Sequence, residues 1–214
     1  MRLPDSWARA PVTLAVTVLT TAAWVIIAML ALDYAAAFWG GFVPARVGHL
    51  INDAGAAPVW LTPLIATFLH ANIIHLLFNL LILVFCGRPT ETVLGSPGFA
   101  VLYVLGAYAA AAAQYLMNPV LMTPMIGASG AISAVLGAYA ILFGRNKVKV
   151  RSAKLAVLLN ALWLMAAWVV LQLVVVYTFA GFAGAQIAVG AHIGGFILGV
   201  ALANPLLLLR YRKA

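Results

Sequence analysis

Two short stretches of this 214-residue chain carry side chains that could perform chemistry together. Ser129 lies between a Gly-Ala pair and a glycine, near the start of an apolar run over residues 126–143. His192 lies in a second glycine-rich stretch, near the start of an apolar run over residues 189–209. A serine becomes a nucleophile when a histidine takes its proton, and the pair then supports acyl transfer. We therefore hypothesise that Ser129 attacks a carbonyl carbon and that His192 is its base.

A second polar group lies in the apolar run over residues 64–85, which contains His70, Asn72, His75 and Asn79. His75 and Asn79 are four residues apart and share one face of a helix. Acyl transfer needs hydrogen-bond donors for the developing oxyanion. We predict that His75, Asn79 and the backbone N–H of Ser129 supply them. None of the apolar runs contains a carboxylate, so the pattern predicts a Ser–His dyad without an acidic third member.

The composition indicates the environment in which these residues act. The chain is 66% hydrophobic and 7% charged, whereas a soluble chain carries roughly a quarter charged residues. Its mean hydropathy is +1.11. This predicts a polytopic membrane protein with a single domain over residues 1–214. The net charge is +8, but the Lys and Arg residues form no basic stripe with interleaved aromatic residues. Nucleic acid is therefore not an expected partner. Cys86 is the only cysteine, which excludes an intrachain disulfide.

The elements that must position the polar residues are apolar runs long enough for membrane helices. Six runs lack Asp, Glu, Lys and Arg: 12–32, 64–85, 99–117, 126–143, 155–179 and 189–209. The first is too long for the core of a signal peptide, so we expect it to be retained. With six spans, eleven Lys and Arg residues lie on one side and only Arg46 on the other. The fold class predicted is an all-α bundle of six transmembrane helices with both termini cytoplasmic.

This topology predicts that Ser129 and His192 lie at the same depth. The second, fourth and sixth runs then all enter the membrane from outside. Both residues lie three positions into their runs, roughly 5 Å along the helix axis. Gly195 and Gly199, with Ser133 and Gly137, have the spacing that lets membrane helices approach closely.

Simpler interpretations of the same residues remain open. The Gly-Ala-Ser-Gly stretch is also typical of small-residue packing, and His192 could be a structural hydrogen bonder or part of a proton relay. His70 is interpreted as a residue that pins the external loop. Metal binding by the histidines is a weak alternative, because no carboxylate or cysteine joins them at ligand spacing. The tryptophans of the runs are interpreted as interfacial or lipid-facing residues: Trp24, Trp163 and Trp168, with Trp7 before the first run.

Three motifs together resemble the rhomboid family of intramembrane serine proteases. They are His70-x-x-x-x-His75-x-x-x-Asn79, Gly127-Ala128-Ser129-Gly130 and Ala191-His192-Ile193-Gly194-Gly195-Phe196-x-x-Gly199. The resemblance implies a Ser129–His192 dyad, an oxyanion site from His75, Asn79 and the Ser129 amide, and supporting roles for His70, Gly127, Gly130, Gly195 and Gly199. It also implies cleavage of single-span, membrane-anchored proteins near the outer face of a bilayer, without metal or cofactor. A bacterial inner membrane is the expected location.

The sequence departs from the family pattern at three positions. Val93 stands where an arginine often follows the Glu91 position, Leu61 follows Trp60 where an arginine is common, and Ser133 stands where some members have an aromatic that stacks on the histidine. The main alternative function is a catalytically inactive relative that binds transmembrane clients. A histidine-relay transporter or channel and a membrane scaffold are the others. The apolar inner halves of the runs argue against a transport path, and the polar cluster argues against a scaffold.

Overall fold

The computed structural model of this protein describes residues 9–51, 54–144, 152–179 and 188–212. The described residues form nine α-helices joined by short connections, with one 3-10 turn and one π-helical turn. The helices are α1 (Pro11–Met29), α2 (Asp33–Gly40), α3 (Pro44–Val47), α4 (Thr62–Ile65), α5 (Ile73–Ile82), α6 (Arg88–Met117), α7 (Ser129–Phe143), α8 (Ala153–Phe179) and α9 (Val189–Tyr211), with the 3-10 turn at Ala66–Phe68 and the π-helical turn at Leu83–Gly87.

Several of these helices have the length and composition of membrane spans. Within the described ranges, four continuous helical stretches are long and apolar enough to cross a bilayer: Pro11–Met29, Ile73–Met117, Leu155–Val174 and Val189–Tyr211. Helix α7 is apolar but only 15 residues long. Its residues from Ser129 to Ala138 are all buried, so the other helices surround this part of α7. The architecture is that of an integral membrane protein built around α7.

The continuous stretch Ile73–Met117 is interrupted at Gly95, within α6, where the chain changes direction. Gly95 has φ 75° and ψ 156°, a conformation that only glycine adopts readily, and Pro97 follows it. A β-carbon at Gly87 would lie 3.3 Å from the Phe99 ring, so the chain before Gly95 packs against the chain after it. The second and third predicted runs therefore lie in separate helices.

Small residues let the backbone of α7 approach both α6 and α9 closely. A β-carbon at Gly195 would lie 2.1 Å from the Gly130 carbonyl oxygen, and one at Gly199 would lie 1.9 Å from that of Ala134. On the α6 side, a β-carbon at Gly130 would lie 2.6 Å from the Ala110 β-carbon. The close approach that the glycine spacing predicts is present, and side chains larger than hydrogen would push these helices apart.

Two helices begin later than the apolar runs that contain them. The second run begins at Leu64, but α5 begins at Ile73, because the Asn72 side chain accepts a hydrogen bond from the His75 N–H at 2.8 Å and caps the helix. His70 thus precedes the helix instead of lying within it. In the fourth run, Gly127 has φ 115°, so α7 begins at Ser129 and not at Ile126.

The connection before α7 is hydrogen-bonded to the residues between α2 and α3 and to the 3-10 turn. Phe42 and Met125 form an antiparallel bridge, with the Phe42 N–H donating to the Met125 oxygen at 3.0 Å and the Met125 N–H donating to the Phe42 oxygen at 2.7 Å. The Gly127 N–H donates to the Ala66 oxygen at 2.9 Å. These bonds fix the chain two residues before Ser129.

The buried Glu91 carboxylate caps the start of α1. It accepts hydrogen bonds from the Val12 N–H at 2.9 Å, from the Thr13 N–H and hydroxyl at 2.7 Å each, and from the Ser96 hydroxyl at 2.7 Å. The first N–H groups of a helix lack intrahelical partners and carry partial positive charge. The carboxylate satisfies them without the arginine that often follows this position in the family that the sequence resembles.

We expect Glu91→Ala to lower the free energy of unfolding by about 2–4 kcal/mol, because several buried donors lose a charged acceptor at once. Thermal unfolding in detergent measures this loss. Thr92→Ala is the matched control, since Thr92 is the next residue and is exposed. Equal melting temperatures for the two variants would contradict the capping role.

Candidate active site

The structure brings the Ser129 hydroxyl and the His192 imidazole together. The Ser129 Oγ lies 2.9 Å from the His192 Nε2, although the residues are 63 positions apart in the chain. Both side chains are buried, with exposed fractions of 8% and 4%. This distance is within hydrogen-bonding reach, as proton transfer from serine to histidine requires.

The contact arises because α7 and α9 run in the same direction and begin at the same level. Ser129 is the first residue of α7, and His192 lies in the first turn of α9. The backbone contacts of Gly195 with Gly130 and of Gly199 with Ala134 set the register between the two helices. The short distance between the Ser129 Oγ and the His192 Nε2 follows from this register, because the glycines let the backbones of α7 and α9 approach closely.

His75 lies near the serine, against Gly127. A β-carbon at Gly127 would lie 2.7 and 2.8 Å from the Cε1 and Nε2 of His75, and 3.8 Å from the Ser129 Oγ. The imidazole and the hydroxyl therefore flank the same backbone position. Glycine is required at position 127 both by this close approach and by its φ of 115°.

Asn79 lies one turn further along α5 and is fully buried. Its Nδ2 donates to the His75 carbonyl oxygen at 2.9 Å, while its Oδ1 has no hydrogen-bond partner in the described part of the chain. An amide nitrogen carries two hydrogens, so one donor remains for another acceptor. A third donor is the Ser129 N–H, which lacks an intrahelical partner because Ser129 opens its helix.

His70, interpreted from the sequence as a residue that pins the external loop, lies beside the site. Its Nε2 accepts a long hydrogen bond of 3.5 Å from the Ala128 N–H, and its ring meets that of His75 edge-on, with centroids 4.9 Å apart. His70 thus supports both the residue before the serine and one predicted oxyanion donor. Of the predicted glycines, Gly127 contacts His75, whereas Gly130, Gly195 and Gly199 form the helix seams.

The interpretation of Trp168 as interfacial or lipid-facing is wrong. Trp168 is 3% exposed, its ring centroid lies 6.2 Å from that of His192, and its Nε1 donates to the Ser133 Oγ at 2.8 Å. Trp163 of the same helix is 74% exposed, as predicted for a lipid-facing residue. Helix α8 is apolar on every side, so hydropathy could not distinguish the two.

A family model for the rhomboid domain matches residues 57–209. The chain is 32% identical to rhomboid protease GlpG of Serratia proteamaculans (strain 568) over 139 residues, which are 64% of this chain and 44% of that protein. It is 32% identical to rhomboid-like protease 3 of Toxoplasma gondii over 141 residues, 66% of this chain and 48% of that protein.

A third relative is rhomboid protease GluP of Bacillus subtilis (strain 168), 32% identical over 140 residues, which are 65% of this chain and 24% of that protein. The chain matches less than half the length of each of these relatives. The family model, in contrast, covers well over half of the chain and includes α5 to α8 and most of α9, with Ser129 and His192. By that match, this chain belongs to the rhomboid family.

Proposed function

We propose that this protein is an intramembrane serine endopeptidase that hydrolyses peptide bonds of membrane-anchored proteins. The observation that carries the proposal is the 2.9 Å hydrogen bond between the Ser129 Oγ and the His192 Nε2. A nucleophile and a base in hydrogen-bonding reach, beside a set of oxyanion donors, are the parts that acyl transfer needs. The relatives that are named proteases support the same function.

The reaction begins when the Ser129 Oγ attacks the carbonyl carbon of the scissile bond and the His192 Nε2 takes the hydroxyl proton. The carbonyl oxygen becomes an oxyanion that accepts hydrogen bonds from the Ser129 N–H, the His75 ring and the second N–H of the Asn79 amide. The imidazolium then donates its proton to the leaving amine, which frees one fragment. Water, activated by the same imidazole, hydrolyses the acyl-enzyme and releases the other.

The proposed placement in the membrane follows from the basic residues. Six spans with both termini in the cytoplasm put the start of α5, α7 and α9, and hence the dyad, near the outer face of the bilayer. The substrates of this site are single-span proteins whose cleaved bond lies close to that face, where water can reach the acyl-enzyme. The clustering of Lys and Arg on one side suits a bacterial inner membrane.

The test is to label purified protein in detergent with a fluorophosphonate and to incubate it with a transmembrane substrate. We expect one covalent adduct, on Ser129, and cleavage of the substrate within its membrane-anchored segment. Peptide mass spectrometry locates both. Prior exposure to the fluorophosphonate should block cleavage.

The alternative is a catalytically inactive relative that binds transmembrane clients. That function predicts neither adduct nor cleavage over a panel of substrates, while a client still copurifies. An adduct on a serine other than Ser129 would refute the site assignment but not the enzyme class.

A further inference from the structure

The His192 imidazole is held by a hydrogen bond at only one of its nitrogens. Its Nε2 bonds to Ser129, whereas its Nδ1 is buried and has no hydrogen-bond partner among the described residues. In Ser–His–Asp enzymes a carboxylate at Nδ1 holds the ring in the orientation that the reaction needs. Here the ring orientation must depend on what packs against it.

The Trp168 indole of α8 packs against this ring. The two ring centroids are 6.2 Å apart and the planes meet at 63°, an edge-to-face arrangement within the favourable range for aromatic pairs. Trp168 is buried, so the indole cannot turn towards lipid without opening the contact. The indole ring in this position limits rotation of the His192 imidazole about its side-chain bonds.

The indole is itself held by a hydrogen bond to Ser133. The Trp168 Nε1 donates to the Ser133 Oγ at 2.8 Å, and that hydroxyl donates to the Ser129 carbonyl oxygen at 2.7 Å. Ser129, Ser133, Trp168 and His192 thus form a closed ring of contacts that links α7, α8 and α9. The serine hydroxyl uses its single hydrogen for Ser129 and a lone pair for Trp168.

We propose that Trp168 is a positioning residue of the dyad, which sets the orientation of the His192 imidazole and is itself held in place by the Ser133 hydroxyl. The proposal rests on the function proposed above. It gives a reason for a small hydroxyl residue one turn after Ser129: the space beside His192 is filled by an indole from α8, and Ser133 bonds to that indole. Trp168 does not touch the reacting atoms, so its effect is on kcat.

The kinetic test compares Trp168→Ala with Trp163→Ala, an exposed tryptophan five positions earlier in the same helix. We expect Trp168→Ala to lower kcat about 5- to 20-fold with little change in KM, since an aromatic contact and a hydrogen bond are lost. Trp163→Ala should match wild type. A change confined to KM would place Trp168 in substrate binding and overturn the proposal.

The hydrogen bond to Ser133 is tested with a double-mutant cycle. Trp168→Phe keeps an aromatic ring but loses the N–H, and Ser133→Ala loses the acceptor. Each should lower kcat about 2- to 5-fold, and the double variant should be no worse than Ser133→Ala alone, because Trp168→Phe removes only a bond that Ser133→Ala has already removed. Additive losses would show that Ser133 does not act through Trp168.

A measurement that needs no activity separates this proposal from the proposed function. The chain has four histidines, so histidine labelled with ¹³C at Cε1 gives four NMR signals in detergent at fixed pH, and His192→Ala identifies the one from His192. Trp168→Ala should move that signal, because the ring current of the indole is removed, and Trp163→Ala should not.

A moved signal in a protein that cleaves nothing would support the positioning contact and refute the enzyme. An unmoved signal would overturn the positioning role, whatever the activity. Melting temperatures of all variants are measured in parallel. If Trp168→Ala is unfolded at the assay temperature, Trp168→Phe takes its place. We then expect the His192 signal to move in the same direction by a smaller amount.

Discussion

Ser129→Ala and His192→Ala should each lower kcat for substrate cleavage by at least about 10³-fold. Alanine at position 129 removes the nucleophile, and alanine at 192 leaves the hydroxyl with no base to take its proton. Neither change enlarges a side chain, so the close backbone contacts between α7 and α9 are not strained and the protein should remain folded. Cleavage of a transmembrane substrate in detergent, followed by gel densitometry, measures the loss.

The combined variant tells a dyad from two independent residues. If Ser129 and His192 act in one proton transfer, the double variant should be about as slow as either single variant, because each alone already removes the step. His49→Asn is the matched control, as His49 is exposed in a loop with φ 55°, which asparagine tolerates. Cleavage by Ser129→Ala at the wild-type rate would mean that another group is the nucleophile.

Gly199→Ala should separate α7 from α9 and so disable the site from a distance. A β-carbon at position 199 would lie 1.9 Å from the Ala134 oxygen and 2.7 and 2.8 Å from its carbonyl carbon and Cα. These are backbone atoms of a buried helix, so no side-chain rotation relieves the clash. Helix α9 must move, and His192 moves with it.

The expected effects of Gly199→Ala are on both stability and activity. Overpacking of this kind costs about 1–3 kcal/mol of unfolding free energy. A displacement of about 1 Å at a catalytic group lowers the rate on the order of 10²-fold. Thermal unfolding measures the first effect. The rates of fluorophosphonate labelling and of cleavage measure the second.

Gly98→Ala is the control for the added methyl group. A β-carbon at Gly98 would meet only the Leu94 β-carbon, at 3.4 Å, which is close to ordinary contact. It should therefore melt and react like wild type. If Gly199→Ala also melted and reacted like wild type, the glycine contacts between α7 and α9 would not be what sets the Ser129–His192 distance.

The geometry of the site depends on packing contacts between the helices that carry Ser129 and His192. The hydroxyl and imidazole need to be within hydrogen-bonding reach, yet no covalent or ionic link among the described site residues holds them there. The register comes from glycine contacts between α7 and α9, and the position of the serine is reinforced by the bridge between Phe42 and Met125. A change at any of these contacts should affect catalysis without touching the substrate.

Part of this arrangement could be read from the sequence. The motifs around Ser129 and His192 identify the pair, and equal depth in parallel helices predicts that they meet. The four-residue spacing of His75 and Asn79 places both on one face of α5, and the glycines at 195 and 199 predict the close seam. These features depend on residue type and local spacing, which the chain displays directly.

Other features depend on which residues become neighbours after folding. Glu91 has no local partner that marks it as a cap for α1, since Val12 and Thr13 lie far away in the chain. The start of α5 at Ile73 depends on Asn72 acting as a cap in competition with an uninterrupted apolar run. Such long-range and competing contacts have no signature in hydropathy.

By itself, the sequence determined the membrane class of this protein and its family resemblance, and it predicted Ser129 and His192 as the pair that we propose as nucleophile and base. Only the tertiary structure decided that Trp168 packs on His192 while Trp163 is exposed. The physical reason is that a helix in lipid can be apolar on every side, so apolar character no longer distinguishes an interior residue from an exterior one. What distinguishes them is the partner that each side chain meets, and that is known only when the helices have packed.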